Sequence, residues 1–545
     1  MKISGWFRIY RVAILLLILT AFILRIPILK VRFFDPDEFQ HLHGARQIYH
    51  GQLPYRDYFE HHTPFLHFIL SGFYPVFGEE IRILFAARAL MMIFTAAILY
   101  LTYSLTKTLY KTDAGLFAAL FLSYVIMFLE KTIEVRPDMP AVTFWLASLI
   151  FMVKGIRRNS ASFAPRHHML SGLMVGIAVM FTQKSLFALG GMSIALAWLF
   201  FDPRSGIPRK RSLKLIAVFL ASAVIPTALT CGYFYIRSGL WEFINCNFIM
   251  NSRWKVKFWP FNYIKQMLRQ NPFFSSTSIL GLLSATFWFH KRKEMEKGNY
   301  VPVLCTYTLI GGLFILPVPY RQYYLLFLPL LAVYCGFVFG QIAGMDIPRL
   351  VSDLRNGVPR PLMVGFMILG LNLAAAVLIY ALDLGKPIVL NSRNLYLLLW
   401  ACVIVFTALA CVLKRGAYAA LILSIGIVAY PLDQTVDQFS HKNNGQLASV
   451  KHIMKITDPE DTVLDGWSGY GFLRSHAYYY FFLHSEMRAM LSGKERSDNL
   501  IENLEEKHTK VVIYDSAIKA LPGKVQEYIK ANYVSSGYGN IYIRK

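Results

Sequence analysis

The sequence predicts a polytopic α-helical membrane protein that ends in a small α/β domain, and three observations predict it. Of 545 residues, 55% are hydrophobic and only 16% are charged, with a mean hydropathy of +0.43, far from the mixture of a soluble domain. Apolar segments of roughly bilayer length recur through the first 432 residues. Beyond residue 432, mixed charge and turn signals separate short β-like runs.

A hydrocarbon core of about 30 Å requires roughly 20 residues per helical span. Thirteen candidates follow, near 12–30, 83–106, 114–130, 139–153, 169–182, 185–201, 215–236, 273–290, 300–317, 322–343, 361–382, 394–413 and 417–432. The N-terminal "MKISGWFRIYR" and the apolar run after it resemble a signal peptide. No small-residue cleavage site follows, and Arg25 and Lys30 interrupt its end, so it reads as an uncleaved first span. The segment 63–78 is apolar but short and carries two prolines; counting it as a span would reverse the sidedness of everything after it.

Charge decides that point. Without it, the seven inner segments (1–11, 107–113, 154–168, 202–214, 291–297, 344–360, 414–415) hold 23 Lys and Arg in 72 residues, and the six outer loops (31–82, 131–138, 183–184, 237–271, 318–321, 383–393) hold 16 in 112. The positive-inside bias therefore makes 63–78 interfacial or re-entrant within the first outer loop, 31–82, and puts the N-terminus in the cytoplasm. It also explains the net charge of +24 without nucleic acid, because clusters such as "PRKRSLK" lie between apolar runs. Residues 1–432 form the membrane domain. Residues 433–545 form an α/β domain on the outer face, with strands at 461–465, 510–515 and 540–545 and helices at 497–507 and 523–532. The six cysteines show no CxxC spacing. No GxxxxGK[ST] motif exists and the inner loops are too short for an ATPase, so energy must arrive with the substrate.

Acidic residues are scarce, yet "FFDPDEFQH" (33–41) places three within four positions on the outer face. Asp35 as N-cap, Pro36 at the first helical position and Glu38 three residues after the cap make a good helix start, with a short helix running to Gly51. Capping leaves Asp37 available for chemistry. In the same loop, Glu60, His61 and His62 precede a Thr63-Pro64 helix start, and six of the 14 histidines (His41, His43, His50, His61, His62, His67) cluster there. The next outer turn, "EKTIEVRPDMP", presents Glu134, Arg136 and Asp138. Each loop alone reads as solvated surface; their recurrence on one face points to a site.

Two cations lie at the outer ends of spans. Residues 169–201 are barely long enough for two helices, so the tip "FTQKSLF" puts Gln183 and Lys184 at or below the interface, where a lysine needs an anionic partner. Arg321 sits at another outer end among tyrosines, where snorkelling is the alternative.

These stretches, "DPDEFQHLHGARQIYHGQLPYRDYFEHHTPFLHFILSGFYPVFG", "EVRPDMPAVTFW", "FTQKSLFALGG" and "YRQYYLLFLPLLAVYCG", resemble in order and spacing the GT-C integral membrane glycosyltransferases. The likeness is to the glycosyltransferase family 39, or dolichyl-phosphate-mannose protein mannosyltransferase-like, group that includes the lipid A aminoarabinose transferase, over about residues 10–435. It implies a GT-C fold and transfer of a sugar from a polyprenyl-monophosphate donor to a lipid, glycan or protein acceptor on the extracytoplasmic side. It places Asp37, with Glu38 beside it, at the active centre, and maps a second acid to Asp138. His61 stands where the family has a lysine that contacts donor phosphate, next to Glu60, and Lys184 falls on a family lysine.

The chemistry agrees with that implication. Direct displacement at the anomeric carbon needs a carboxylate for the acceptor, Asp37, and positive charge for the departing phosphate, from Lys184, Arg321 or Arg136. One displacement inverts the centre; Asp138 leaves a retaining route formally open. A divalent metal held by Asp37, Glu60 and a histidine such as His62 is a further expectation. The segment 237–271, with Trp241, Trp254 and Trp259, reads as interfacial anchoring or a donor-side lid. A rival class, a transporter or flippase of a lipid-linked sugar, predicts mid-membrane charges and repeated halves. Here the charges gather on one face and no repeat is visible.

Overall fold

The computed structural model describes residues 3–157, 163–201, 207–291, 298–344, 402–407, 409–410, 413 and 416–545. The expected span 361–382, most of 394–413 and nearly all of the inner segments 291–297 and 344–360 lie outside the described residues.

In chain order the helices of the first part are α1 (Ile3–Val31), α2 (Pro36–Tyr49), the short α3 (Phe65–Ser71) and α4 (Tyr74–Phe77), α5 (Arg82–Tyr110), α6 (Thr112–Tyr124), α7 (Ile126–Ile133), α8 (Asp138–Arg157), α9 (Phe163–Phe181), α10 (Leu186–Phe201), α11 (Arg209–Ile236), α12 (Leu240–Ile244), α13 (Phe261–Gln270), α14 (Pro272–Lys291), α15 (Tyr300–Ile315), α16 (Leu328–Ala343) and α17 (Gly416–Asp437). Among the described residues, α1, α5, α8, α10 with the turn before it, α11 and α17 are long and apolar enough to cross a bilayer; α14, α15 and α16 are apolar but shorter. Leu15, Leu16, Leu19 and Ile23 on α1 are each about half exposed, as lipid-facing side chains are. The segment 63–78 forms α3 and α4, with Pro64 and Pro75 at their starts, a broken pair rather than one span.

The expected span 114–130 is corrected by the structure: α6 and α7 meet at a break and bend by 69°. The backbone groups freed at the break are satisfied by one side chain. Asn271 Oδ1 accepts from the Ile126 N–H at 3.0 Å, and its Nδ2 donates to the Tyr124 carbonyl at 3.3 Å. Irregular backbone at membrane depth is stable only with such partners. The bend points the end of α7, and the loop after it, toward α2.

Close packing elsewhere depends on two GxxxG spacings, which bring helix backbones together where apolar burial cannot. A Cβ at Gly172 or Gly176 of α9 would collide with the Phe219 or Ala223 carbonyl of α11, and one at Gly336 or Gly340 of α16 would collide with Ala114 of α6.

The C-terminal domain begins after α17, which runs to Asp437 rather than ending at 432. Strands β1 (Thr462–Asp465), β2 (Ser475–His476), β3 (Val511–Ile513), β4 (Tyr533–Ser535) and β5 (Ile541–Arg544) form one sheet in the order β2-β1-β3-β5-β4. β1 pairs parallel with β2 and β3, while β5 runs antiparallel between β3 and β4. Three of these strands are legible in sequence; β2 and β4 are too short to show. The domain packs directly on α2: the His43 ring stacks on Phe481 at 3.9 Å, and Phe39 meets Phe472 at 5.3 Å.

Asn271→Leu removes both bridging hydrogen bonds at the α6–α7 break and leaves two buried backbone groups unpaired. It should lower the unfolding free energy in detergent by about 1–3 kcal/mol, read as a fall in the denaturation midpoint.

Candidate functional site

The site grows from the N-terminus of α2. Asp35 caps that helix, and Glu38 reaches back to the Asp35 N–H at 2.9 Å, completing the capping box anticipated from the spacing. Glu38 does more than cap. Both its oxygens receive Arg88 of α5, at 2.8 and 2.7 Å, and Oε2 also accepts from the Val135 N–H at 3.1 Å. Glu38 and Arg88 are both fully buried. Glu38 therefore does not stand beside Asp37 at a reaction centre, as expected above; its oxygens are spent on the scaffold.

Asp37, one residue earlier, turns the other way. Its Oδ2 accepts from Arg136 at 2.7 Å, and the side chain stays 23% exposed. Burial pushes the Asp37 carboxyl up, but the Arg136 guanidinium outweighs it and holds the group below its ordinary 3.8, so Asp37 is ionised at neutral pH. Arg136 is itself clamped, by Asp35 at 2.9 Å and Glu134 at 2.5 Å, and Glu134 also takes Lys131 at 2.8 Å and Arg32 at 3.0 Å.

The other expected cations arrive from distant spans. Lys184 lies in a single 3₁₀ turn between α9 and α10, pairs with Asp138 at 2.6 Å, and sits 3.8 Å over the Tyr323 ring. Arg321 pairs with Glu130 and donates to Gln270 at 2.9 Å. Asp37, Arg136, Asp138, Lys184, Arg321, His61 and His62 all line one cavity of about 1110 Å³.

The histidine-rich loop forms the adjoining wall. Glu60 is buried; its Oε1 accepts from the His61 and His62 N–H groups at 2.9 and 3.0 Å and from His62 Nδ1 at 2.7 Å. Its Oε2 lies 3.2 Å from His67 Nε2, whose other neighbour is His41 Nδ1 at 3.1 Å. Burial, then the neighbouring His62, pushes His61 down to about 3. His61 lines the cavity as a neutral ring, so it cannot supply the charge of the family lysine. Asp37, bound to Arg136, lies outside both groupings of close metal-ligating atoms, His41–Glu60–His67 and Glu60–His61–His62.

Residues of the C-terminal domain, absent from the expectations, complete the cavity. Trp467 follows β1, and His484, Glu486 and Arg488 come from the segment after β2. The Trp467 and His484 rings meet edge to face at 4.7 Å, and Tyr320 donates to Glu486 at 2.8 Å. Trp254, from the expected lid segment, stands against both His61 and His484 at about 6 Å. Only the position of "GWSGYG" after β1 hints at this, since sites in α/β sheets form beyond the carboxyl ends of parallel strands.

Fold and site together define a class: a polytopic helical membrane protein with the GT-C type of fold, its polar cavity capped by a small α/β domain. Residues 61–229 match the family model described as dolichyl-phosphate-mannose-protein mannosyltransferase. The chain is related in fold to ArnT from Cupriavidus metallidurans. To the crystal structure of ArnT bound to undecaprenyl phosphate it is 11% identical with a TM-score of 0.62, covering 99% of this chain and 98% of that one; the apo structure gives 14% and 0.63, with 100% and 98% covered. The oligosaccharyltransferase AglB from Archaeoglobus fulgidus, in complex with an inhibitory peptide and a dolichol-phosphate, is 13% identical with a TM-score of 0.54, over 99% of this chain and 75% of that one. Among curated proteins none matches the sequence.

Glu38→Ala would strand the Arg88 guanidinium in a closed interior. It should cost about 3–5 kcal/mol and show as loss of folded protein on size-exclusion chromatography rather than as a purely kinetic defect.

Proposed function

We propose that this protein transfers a sugar from a polyprenyl-monophosphate donor to an acceptor on the extracytoplasmic side of the membrane. The observation that carries this reading is a single cavity lined by an ionised Asp37 and by the cations Arg136, Lys184 and Arg321. ArnT and AglB have this fold and have been seen with undecaprenyl phosphate and dolichol-phosphate, respectively, which supports a lipid phosphate as the donor's leaving group. The N-terminus lies in the cytoplasm and the C-terminal domain outside, as the Lys and Arg asymmetry of the loops indicates.

In the reaction, the acceptor hydroxyl hydrogen-bonds to the outward oxygen of Asp37. Its oxygen attacks the anomeric carbon as the bond to the phosphate oxygen breaks, and its proton passes toward Asp37. A carboxylate with a depressed pKa is a weak base, so Asp37 acts chiefly by orienting the hydroxyl and taking up positive charge late in the step. The polyprenyl phosphate carries away the bonding pair, stabilised by Lys184 and Arg136. Asp138 is held by Lys184 at 2.6 Å, which favours the one-step, inverting course over a covalent intermediate on a second carboxylate.

Asp37→Asn keeps the shape and removes the charge. Transfer from a polyprenyl-phosphate donor in membrane vesicles should fall about 10²–10⁴-fold while the protein is still expressed and folded; full activity of that variant would sink the assignment. Mass spectrometry of membrane lipids and surface glycans from a deletion strain then identifies the sugar and the acceptor.

The pH dependence has a fixed sign. Because Arg136 depresses the Asp37 carboxyl below 3.8, activity should not decline through Asp37 protonation at pH 5. In Arg136→Gln, burial is opposed only by the smaller pull of His62 and Lys131, the carboxyl titrates higher, and the acid limb of kcat/KM against pH should move upward.

A further inference from the structure

We propose that the segment from Asn251 to Gln270 docks on acidic phospholipid headgroups of the bilayer beside the cavity, through Arg253, Lys255, Lys257, Lys265 and Arg269. The first argument is one of charge. No Asp or Glu stands anywhere between Glu242 and Glu294, and all five cations are exposed. Arg136, Lys184 and Arg321 in the cavity are each held by a carboxylate; among the described residues, none of these five is. The proposed function puts this end of the bundle on the extracytoplasmic side, where loops are normally poor in Lys and Arg. A basic row there runs against the insertion bias, and an acidic surface is what it complements.

The second argument is geometric. From Trp254 to Trp259 the chain is neither helix nor strand, and the side chains alternate. Arg253, Lys255, Lys257 and Trp259 are exposed, whereas Trp254, Val256 and Phe258 are half-buried, the period of two that an extended chain imposes. On α13, Lys265 and Arg269 lie one turn apart on the same helix face, and both are exposed. Asn251, Trp254, Tyr263 and Gln266 of the same segment line the cavity. One side of the segment is therefore cavity wall and the other a basic edge.

Its neighbours set its level in the bilayer. Trp259 and Phe261 are 66% and 60% exposed, and the Phe261 ring meets Phe314 at 5.8 Å, at the end of α15 where Ile315 is 73% exposed. Large apolar side chains exposed beside the end of an apolar helix face lipid, so the long basic side chains next to them reach the headgroup layer. The segment is fastened at that level: the Phe258 N–H donates to the Pro317 carbonyl at 3.0 Å, and the Tyr324 hydroxyl to the Pro260 carbonyl at 2.7 Å. Arg253 to Lys257 alone covers roughly 13 Å of extended chain, with Lys265 and Arg269 further on. One phosphate cannot answer that row, and in the proposed reaction the donor's phosphate is met by Arg136 and Lys184 inside the cavity. The occupant is thus a group of bilayer headgroups rather than the donor.

The test uses the full-length protein reconstituted in phosphatidylcholine vesicles with a trace of photoactivatable phosphatidylglycerol or of its phosphatidylcholine counterpart, and adducts are mapped by peptide mass spectrometry. Peptides from 251–270 should take up the phosphatidylglycerol probe roughly tenfold more than the neutral one, a preference that shrinks as ionic strength rises. The triple variant Arg253→Gln, Lys255→Gln, Lys257→Gln, checked as folded by size-exclusion chromatography, should bring the two probes close to equal. Removing three exposed cations of the C-terminal domain instead, by Lys451→Gln, Lys455→Gln and Lys530→Gln, should leave the preference intact. Equal labelling in the wild type, or an undiminished preference in the folded triple variant, would overturn the proposal. So would labelling of the segment by a photoactivatable polyprenyl phosphate that excess phosphatidylglycerol does not compete away, which would give these cations to the donor. None of these readouts depends on sugar transfer, so their failure is separate from failure of the Asp37 assignment.

Discussion

The buried ion pair between Glu38 and Arg88 is the constraint on which the site rests. Arg88 projects from α5 and donates also to the carbonyls of Leu29, Arg32 and Phe33, and Glu38 accepts from the Val135 N–H, so the pair together gathers the end of α1, the start of α2 and the loop before α8. Two ions taken from water into such a place are tolerated only with near-complete hydrogen bonding, and here the pair has it. Because Glu38 is consumed in this way, Asp37 is left as the carboxylate at the helix start that can face a ligand.

Arg136 then converts that exposure into a defined charge state. It is held on three sides by Asp35, Asp37 and Glu134, a network that favours the anions of Asp37 and Glu134 and keeps the cation from swinging away. Lys184 is restrained similarly by Asp138 and the face of Tyr323. In the proposed reaction these cations are already in position before the donor arrives, which is the preorganisation that makes electrostatic catalysis effective. The cavity is closed from above by Trp467, His484 and Glu486, so the C-terminal domain forms part of the chamber rather than an appendage.

Much of the fold could be read from the residues. The apolar runs that became α1, α5, α8, α10, α11, α14 and α15 were visible because lipid-exposed helices need long apolar stretches. The capping box at Asp35 was visible because its chemistry is local. The α6–α7 bend was hidden, since the residue that permits it, Asn271, is more than 140 positions away. Glu38 was mistaken for a partner of Asp37 for a related reason: adjacent residues on a helix start point in different directions, and Arg88 is 50 residues distant. His61 matched a family position, yet its burial removes the charge that the position carries elsewhere.

By itself the sequence determined the chain's relation to the membrane, the helix start at Asp35 and the inventory of acids, histidines and cations near the ends of its spans. Those properties follow from composition and short-range pattern, which do not depend on how segments pack. Tertiary structure alone decided which acid keeps an oxygen toward the cavity, which cation pairs with it, and that Trp467 and Glu486 share that cavity. Charge pairing and burial are set by which segments meet in space, and those meetings join residues hundreds of positions apart.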